Sequence, residues 1–250
     1  MNILDQIVEK RKKQIEEKGW NFGIDIPEKR LRPLVPFMQK RGLILEVKRA
    51  SPSKGPIAPD LDSVKTALTY ADAGARAISV LTEENYFKGS LRDLIQVGTA
   101  IGSKEVSLLR KDFLIDPVEI EIAYRCGADA VLLIARILSA KQMLAMAKKS
   151  QELGMTAFVE IRLQEDLDKL KEISLQIDPN FIVCGVNARD LKDFSIDLLT
   201  PAAMLNSIRN ILGPKARIIF ESGITSPQAA TFASSLGFSG LLLGEAAARN

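Results

Sequence analysis

Glu46 and Lys48 lie two residues apart in LILEVKRASPSKG, residues 43–55, where an apolar run gives way to a Ser/Pro/Gly loop. Residues two apart on a strand point to the same side. A carboxylate and an ammonium therefore emerge together at a strand end, where burying either is costly unless it is paired. Lys111 closes a second apolar run in SLLRKDF, and Glu160 a third in FVEI. Burial lowers the proton affinity of a lysine and a neighbouring carboxylate restores it. Such a set can deliver a general acid near neutral pH. Structural salt bridges are the competing reading of the same four residues. Phe87 and Phe113, in loops after apolar runs, suit either an apolar wall for a planar ligand or ordinary loop packing.

Composition narrows the chemistry. The 250 residues contain no histidine, which excludes a Ser-His-Asp or Cys-His nucleophile and any His-ligated metal. Proton transfer falls to Lys, Glu, Asp, Tyr or Cys. Cys126 and Cys184 are far apart in apolar segments and read as buried free thiols in a reducing cytosol. The net charge of +3, from 34 basic and 31 acidic residues, is too even for a nucleic-acid binder but suits a small anionic substrate held locally. No stretch reads as a signal peptide or membrane span. Asp5, Glu9, Glu16 and Glu17 argue against a mitochondrial presequence, so a cytoplasmic location is expected.

The elements that must position these groups follow from periodicity. Ile3, Leu4, Ile7, Val8 and Ile15 share one side of an N-terminal helix ended by Gly19. Trp20 then reads as an anchor for the extension. Eight near-continuous apolar runs follow, at Leu43–Lys48, Ala77–Leu81, Ser107–Lys111, Ala130–Ile134, Ala157–Ile161, Phe181–Val186, Arg217–Glu221 and Gly240–Leu243. Such runs are expected of parallel strands buried on both faces. Between them Asp62–Ala73, Pro117–Cys126, Ser139–Leu153, Gln164–Ile173, Pro201–Leu212 and Ser226–Leu236 read as helices. The expected fold is α/β, a (β/α)8 TIM barrel. One domain is expected, with a helical extension over 1–42 and a barrel over 43–250. The chain stops at Asn250, leaving GEAAAR as a truncated or absent eighth outer helix. The N-terminal helix or a partner must cover that flank, or apolar surface stays exposed.

Barrels of this kind carry their chemistry at the C-terminal strand ends. Those ends offer Glu46 and Lys48, Arg110 to Asp112, Glu160, Asn187 to Asp190, and Glu221. ESGI after the seventh strand and GE after the eighth place Ser222, Gly223, Gly244 and Glu245 where this fold recurrently binds phosphate. Turn-forming is the simpler alternative for the two glycines. Lys12, Lys13, Lys54 and Lys88 read as solvated charge.

Taken in order, ILEVKRASPSKG, SVLTEENYFKGS, LLRKDFLID, GADAVLLIARIL, VEIRLQ, CGVNARDL, FESGI and LLLGEA resemble the indole-3-glycerol phosphate synthase family from about Pro33 to Ala246. The resemblance implies a carboxy-lyase of tryptophan biosynthesis that uses no cofactor or metal. It closes the indole ring of 1-(o-carboxyphenylamino)-1-deoxyribulose 5-phosphate, releasing carbon dioxide and water. By motif position, Lys111 would be the acid for ring closure. Lys48 would hold the substrate carboxylate and could donate a proton later, and Glu160 would serve dehydration. Glu46 and Asn187 would grip the sugar hydroxyls. Ser51, Pro52, Phe87, Phe113, Leu132, Arg189 and Leu191 would line the substrate pocket, and Ser222, Gly223, Gly244 and Glu245 the phosphate site. The expected partner is this small phosphorylated substrate, with no nucleic acid or membrane. The chain is expected to be a monomer or weak homo-oligomer, with association among tryptophan-pathway enzymes left open. Three departures stand out, the truncated or absent eighth outer helix being the largest. Many relatives have Asn or Ser where this chain has Ala188, and often His in the region of Arg162. A sibling barrel, phosphoribosylanthranilate isomerase, and a catalytically silent barrel are the alternatives. The isomerase would need a Cys/Asp acid–base pair, against which Lys48 and Lys111 argue.

Overall fold

The computed structural model describes residues 3–190 and 194–244. Eight parallel strands close into a barrel: β1 (Gly42–Val47), β2 (Ala77–Leu81), β3 (Ser107–Lys111), β4 (Ala130–Ile134), β5 (Thr156–Ile161), β6 (Ile182–Asn187), β7 (Ile218–Glu221) and β8 (Gly240–Leu243). Each pairs with its sequence neighbours, and β1 closes on β8 with Leu43 opposite Leu241. β2, β3, β4 and β8 have the bounds expected from the apolar runs. Lys48 and Arg217 fall just outside their strands, and Phe181 sits in a short 3-10 turn (Pro179–Phe181).

The helices are α1 (Ile3–Lys18), α2 (Ser63–Asp72), α3 (Leu91–Ile101), α4 (Val118–Arg125), α5 (Ala140–Glu152), α6 (Asp166–Ser174), α7 (Leu199–Leu212) and α8 (Pro227–Ser235). Side-chain caps start several of them. Asp62 accepts from the N–H groups of Val64 and Lys65, and Ser139 forms a capping box with Gln142. The apolar pattern had not singled out α3, which buries Leu91, Leu94, Val97 and Ile101 behind a Ser90 cap. The expected truncation after β8 concerns residues outside those described.

Two apolar layers result. One lies between strands and outer helices, and the other fills the barrel with Ile44, Ala77, Leu109, Ala130, Phe158, Val183 and Ile219. Phe37 and Met38, both buried, join the interior cluster from the extension, with Phe37 edge-on to Phe158 at 6.0 Å. The extension therefore spans the molecule. α1 contacts the loops after β2 and β3 through Gln14 and Arg11, and residues 37–38 close the opposite end. Trp20 is only half-buried; Phe22, stacked under the Arg11 guanidinium at 5.0 Å, lies deeper.

Candidate active site

A layer of four inward side chains from alternate strands is the packing unit of such barrels. At the C-terminal end that layer consists of Glu46 (β1), Lys111 (β3), Glu160 (β5) and Glu221 (β7). All line one cavity, and the three carboxylates are at most 5% exposed. Three of the four were expected from the sequence. Glu221 was noted at its strand end but given no role. The alternate-strand rule is the signal that finds it, because β1, β3 and β5 leave one vacancy in the layer. Gly185 on β6 makes room for it: a Cβ there would lie 2.1 Å from a Glu221 carboxylate oxygen and 2.4 Å from Phe158.

The charges are interlocked. Lys48 Nζ lies 2.7 Å from Glu46 Oε1, and Lys111 Nζ lies 3.6 Å from Glu46 Oε2. Gly244 abuts this pair; a Cβ there would come within 2.6 Å of both Glu46 and Lys48. Burial opposes ionisation of Glu46, yet the Lys48 and Lys111 ammonium groups hold its carboxyl below the ordinary value. Burial likewise opposes the charge on Lys111, but Glu46, Glu160 and Glu221 overcome it and raise its affinity for the proton. Lys111 is thus a fully charged donor at neutral pH. Burial raises Glu160, partly countered by Lys111 and a hydrogen bond from Asn187. Glu221 is raised well above the usual range by burial and by Glu160, to which it is hydrogen-bonded. Glu221 is therefore the proton-bearing member of that pair.

Around this layer the structure gathers Ser51, Pro52, Phe87, Phe113, Leu132, Asn187, Arg189, Ser222, Gly223 and Gly244 into the same cavity. Leu191 and Glu245 lie outside the described residues. The Phe87 and Phe113 rings meet at 5.9 Å, forming an apolar side with Leu132 and Ile134. Ile3, Leu4 and Ile7 of α1 extend that side, a contribution unreadable in the sequence because it depends on where α1 docks. Ser222 and Gly223 are both left-handed, at φ 68° and 77°. Gly223 is required sterically as well, since a Cβ would strike Ile196 and Leu198. Arg162 donates to the Asn187 carbonyl at 2.9 Å and faces Asp190 at 3.4 Å, bracing the loop that carries Arg189.

Among the described residues, no group of three or more His, Cys, Asp or Glu is placed to hold a metal ion. Both cysteines are free and buried, and neither lines the cavity. Burial pushes the Cys126 thiol up to about 11. No described helix is long and apolar enough to cross a membrane.

Comparison with known proteins adds to this geometry. The sequence model of the family described as indole-3-glycerol phosphate synthase matches residues 4–250. The indole-3-glycerol phosphate synthase of Bacillus cereus (strain G9842) is 38% identical over 244 residues, covering 98% of this chain and 92% of the relative. That of Desulforamulus reducens is 36% identical over 253 residues, covering 98% and 91%. Among solved structures, triosephosphate isomerase from Bartonella henselae shares the fold at a TM-score of 0.59 and 13% identity, covering 84% of this chain and 94% of its own. An N-acetylmannosamine-6-phosphate 2-epimerase from Clostridium perfringens does so at 0.58 and 13%, covering 82% and 86%.

Proposed function

The chain belongs to the indole-3-glycerol phosphate synthase family, and we propose that its odd-strand layer, Glu46–Lys111–Glu160–Glu221, is the acid–base machinery of that reaction. The enzyme is a carboxy-lyase of tryptophan biosynthesis. It converts 1-(o-carboxyphenylamino)-1-deoxyribulose 5-phosphate to indole-3-glycerol phosphate, carbon dioxide and water.

The chemistry divides into three steps. In ring closure the aromatic carbon bearing the carboxylate attacks the ribulose carbonyl, and Lys111 gives its proton to the oxygen that becomes a hydroxyl. The raised proton affinity of Lys111 keeps it loaded before attack. In decarboxylation the carbon–carboxylate bond breaks, and its electron pair restores the aromatic ring. Lys48 positions that carboxylate; its pairing with Glu46 limits how far it stabilises the charge that must disappear. In dehydration the hydroxyl leaves as water after taking a second proton, and one proton is lost from the adjacent ring carbon. Glu160 with its proton-bearing partner Glu221 supplies a donor and an acceptor side by side. Overall two protons enter and one leaves, a net uptake of one that replaces the lost carboxylate.

Binding follows from the same lining. Phe87, Phe113, Leu132 and α1 receive the anthranilate ring. Asn187 and Glu46 engage the sugar hydroxyls, and Ser51, Pro52 and Arg189 complete the pocket. Ser222, Gly223 and Gly244 take the phosphate, with Glu245 and Leu191 assigned by motif position alone. We assign the extension, 1–42, and the barrel, 43–250, to one domain. The protein is read as a cytoplasmic monomer or weak homo-oligomer.

The observation that carries this assignment is the single charged layer contributed by all four odd strands. The experiment is to add the carboxyphenylamino-deoxyribulose phosphate to wild type and to Lys111→Ala and follow indole fluorescence. Wild type should turn over. Lys111→Ala should lose at least about 1000-fold in kcat while still binding substrate in a fluorescence titration. Near wild-type turnover by Lys111→Ala would remove it as the acid.

A further inference from the structure

Arg11 is a charged residue on α1 that is only 4% exposed. It reaches two carboxylates that bracket the loop after β3. Its Nη1 donates to Asp112 Oδ1 at 2.7 Å. Its Nε donates to Glu119 Oε2 at 3.1 Å, and Nη2 donates to the same oxygen. Each carboxylate in turn fixes backbone within the loop. Asp112 Oδ1 accepts the Phe113 N–H, and Glu119 Oε1 accepts the Ile115 N–H, both at 2.8 Å. Arg110 completes the cluster, donating to Asp112 Oδ2 at 3.1 Å, to the Thr82 hydroxyl at 3.2 Å and to the Glu119 carbonyl at 3.0 Å. Two guanidinium groups face two carboxylates, so the cluster is balanced in charge and its hydrogen bonds are made internally. Such a cluster is rigid when complete and costly when one member is removed.

This loop begins directly after Lys111 and contains Phe113, whose ring packs against Phe87 at 5.9 Å, tilted by 38°. Asp112 also lines the cavity. Arg110 reaches Glu119 only through its backbone carbonyl at 3.0 Å; its Nη2 stands 3.8 Å from Glu119 Oε2. Arg11, arriving from another element, joins the two carboxylates side chain to side chain. We propose that Arg11 is a positioning residue that bolts the Asp112–Glu119 loop shut and thereby sets Lys111 relative to the substrate. The N-terminal helix is thus part of the catalytic frame, acting through a buried guanidinium as well as through its apolar face. This inference rests on Lys111 being the acid.

The test uses the full chain and two variants. Arg11→Met/Glu119→Gln removes one charge of each sign, and the glutamine oxygen can still accept from Ile115. Arg11→Lys keeps the charge but loses the fork. Melting temperature, kcat and KM are measured for each, with Lys111→Ala alongside. The double variant should fold and lose about 10- to 100-fold in kcat, as expected for a small misplacement of a catalytic group. Its KM should change less than about threefold, and Arg11→Lys should fall between it and wild type. Wild-type kcat in a folded double variant, with only the melting temperature lowered, would overturn the proposal. So would failure of both variants to fold, since the cluster would then serve folding alone. Residual activity of Lys111→Ala reports separately: if that variant is inactive while the Arg11 variants are fully active, the acid assignment stands and this inference alone fails.

Discussion

Glu221 shows how a single residue trades stability for chemistry. Its carboxyl is buried in the niche left by Gly185, and burial together with Glu160 raises it well above 4.5. The folded chain therefore keeps a proton that the unfolded chain releases above about pH 4.5. Stability from this group is fully present below that value and is lost as pH rises through the raised value. Glu221→Gln removes the loss. We expect it to melt higher than wild type at pH 8, by about 3 °C for each kcal/mol recovered, with the difference vanishing near pH 4. Its kcat should fall by at least about 10-fold, since the proposed donor of the dehydration pair would be gone. Calorimetry across pH beside steady-state kinetics checks both signs; a lower melting temperature at pH 8 would refute the account. In the sequence, FESGI shows a glutamate like any other at a strand end. What sets it apart is the vacancy in a four-strand layer, visible only once β1, β3 and β5 are aligned. Lys48, Lys111 and Glu160 were legible because charges at the ends of apolar runs are rare and costly.

Whole elements were readable where their signal is local. The strands are continuous apolar runs, and four of eight had the observed bounds. In α3 only Gly98 weighs against a helix; Gly102, at φ 55°, caps its end, as glycine commonly does. Gly98 is there for packing: a Cβ would stand 3.0 Å from the Cys126 carbonyl. The loop after β2 was legible only as a loop, although its order is built on one buried side chain. Glu83 accepts the N–H groups of Asn85 at 2.9 Å, Tyr86 at 2.6 Å and Phe87 at 3.0 Å. Three backbone donors converging on one carboxylate hold Phe87 against Phe113. Glu83→Ala leaves those donors to water and frees the aromatic side. On the proposed assignment, in which the loop binds the ring and carries no proton, KM should rise by about 10-fold while kcat stays within about threefold. The pattern is read as lost positioning of bound substrate. Steady-state kinetics decides it; a kcat loss without a KM change would mean the loop acts on the chemistry instead.

At the scale of the molecule, the extension ties the two ends of the barrel together while only one end does chemistry. At the mouth it contributes Ile3, Leu4, Ile7 and Arg11. At the opposite end Arg30 and Arg32 converge on Asp129, which precedes β4 and is 1% exposed. Asp129 also accepts the N–H groups of Val35 at 3.0 Å and Leu108 at 2.8 Å. Arg32 in turn satisfies the carbonyls of Gly102, Lys104 and Val106. The length of a five-residue strand, about 16 Å, separates this cluster from the charged layer. Substitutions so far apart with no shared partner act independently, and conserved function in such barrels resides at one end while the other serves stability. Asp129→Ala strands two guanidinium groups, one of them fully buried, and should cost about 3–5 kcal/mol. That corresponds to a melting temperature lower by about 10 °C. At 20 °C, where the variant remains folded by circular dichroism, kcat should stay within about twofold of wild type. Arg11 variants should show the reverse balance, a large kcat loss for a smaller thermal one. If Asp129→Ala instead lowered kcat in the folded protein, the extension would transmit its anchoring from one end of the barrel to the other, and the two ends would have to be treated as one coupled unit.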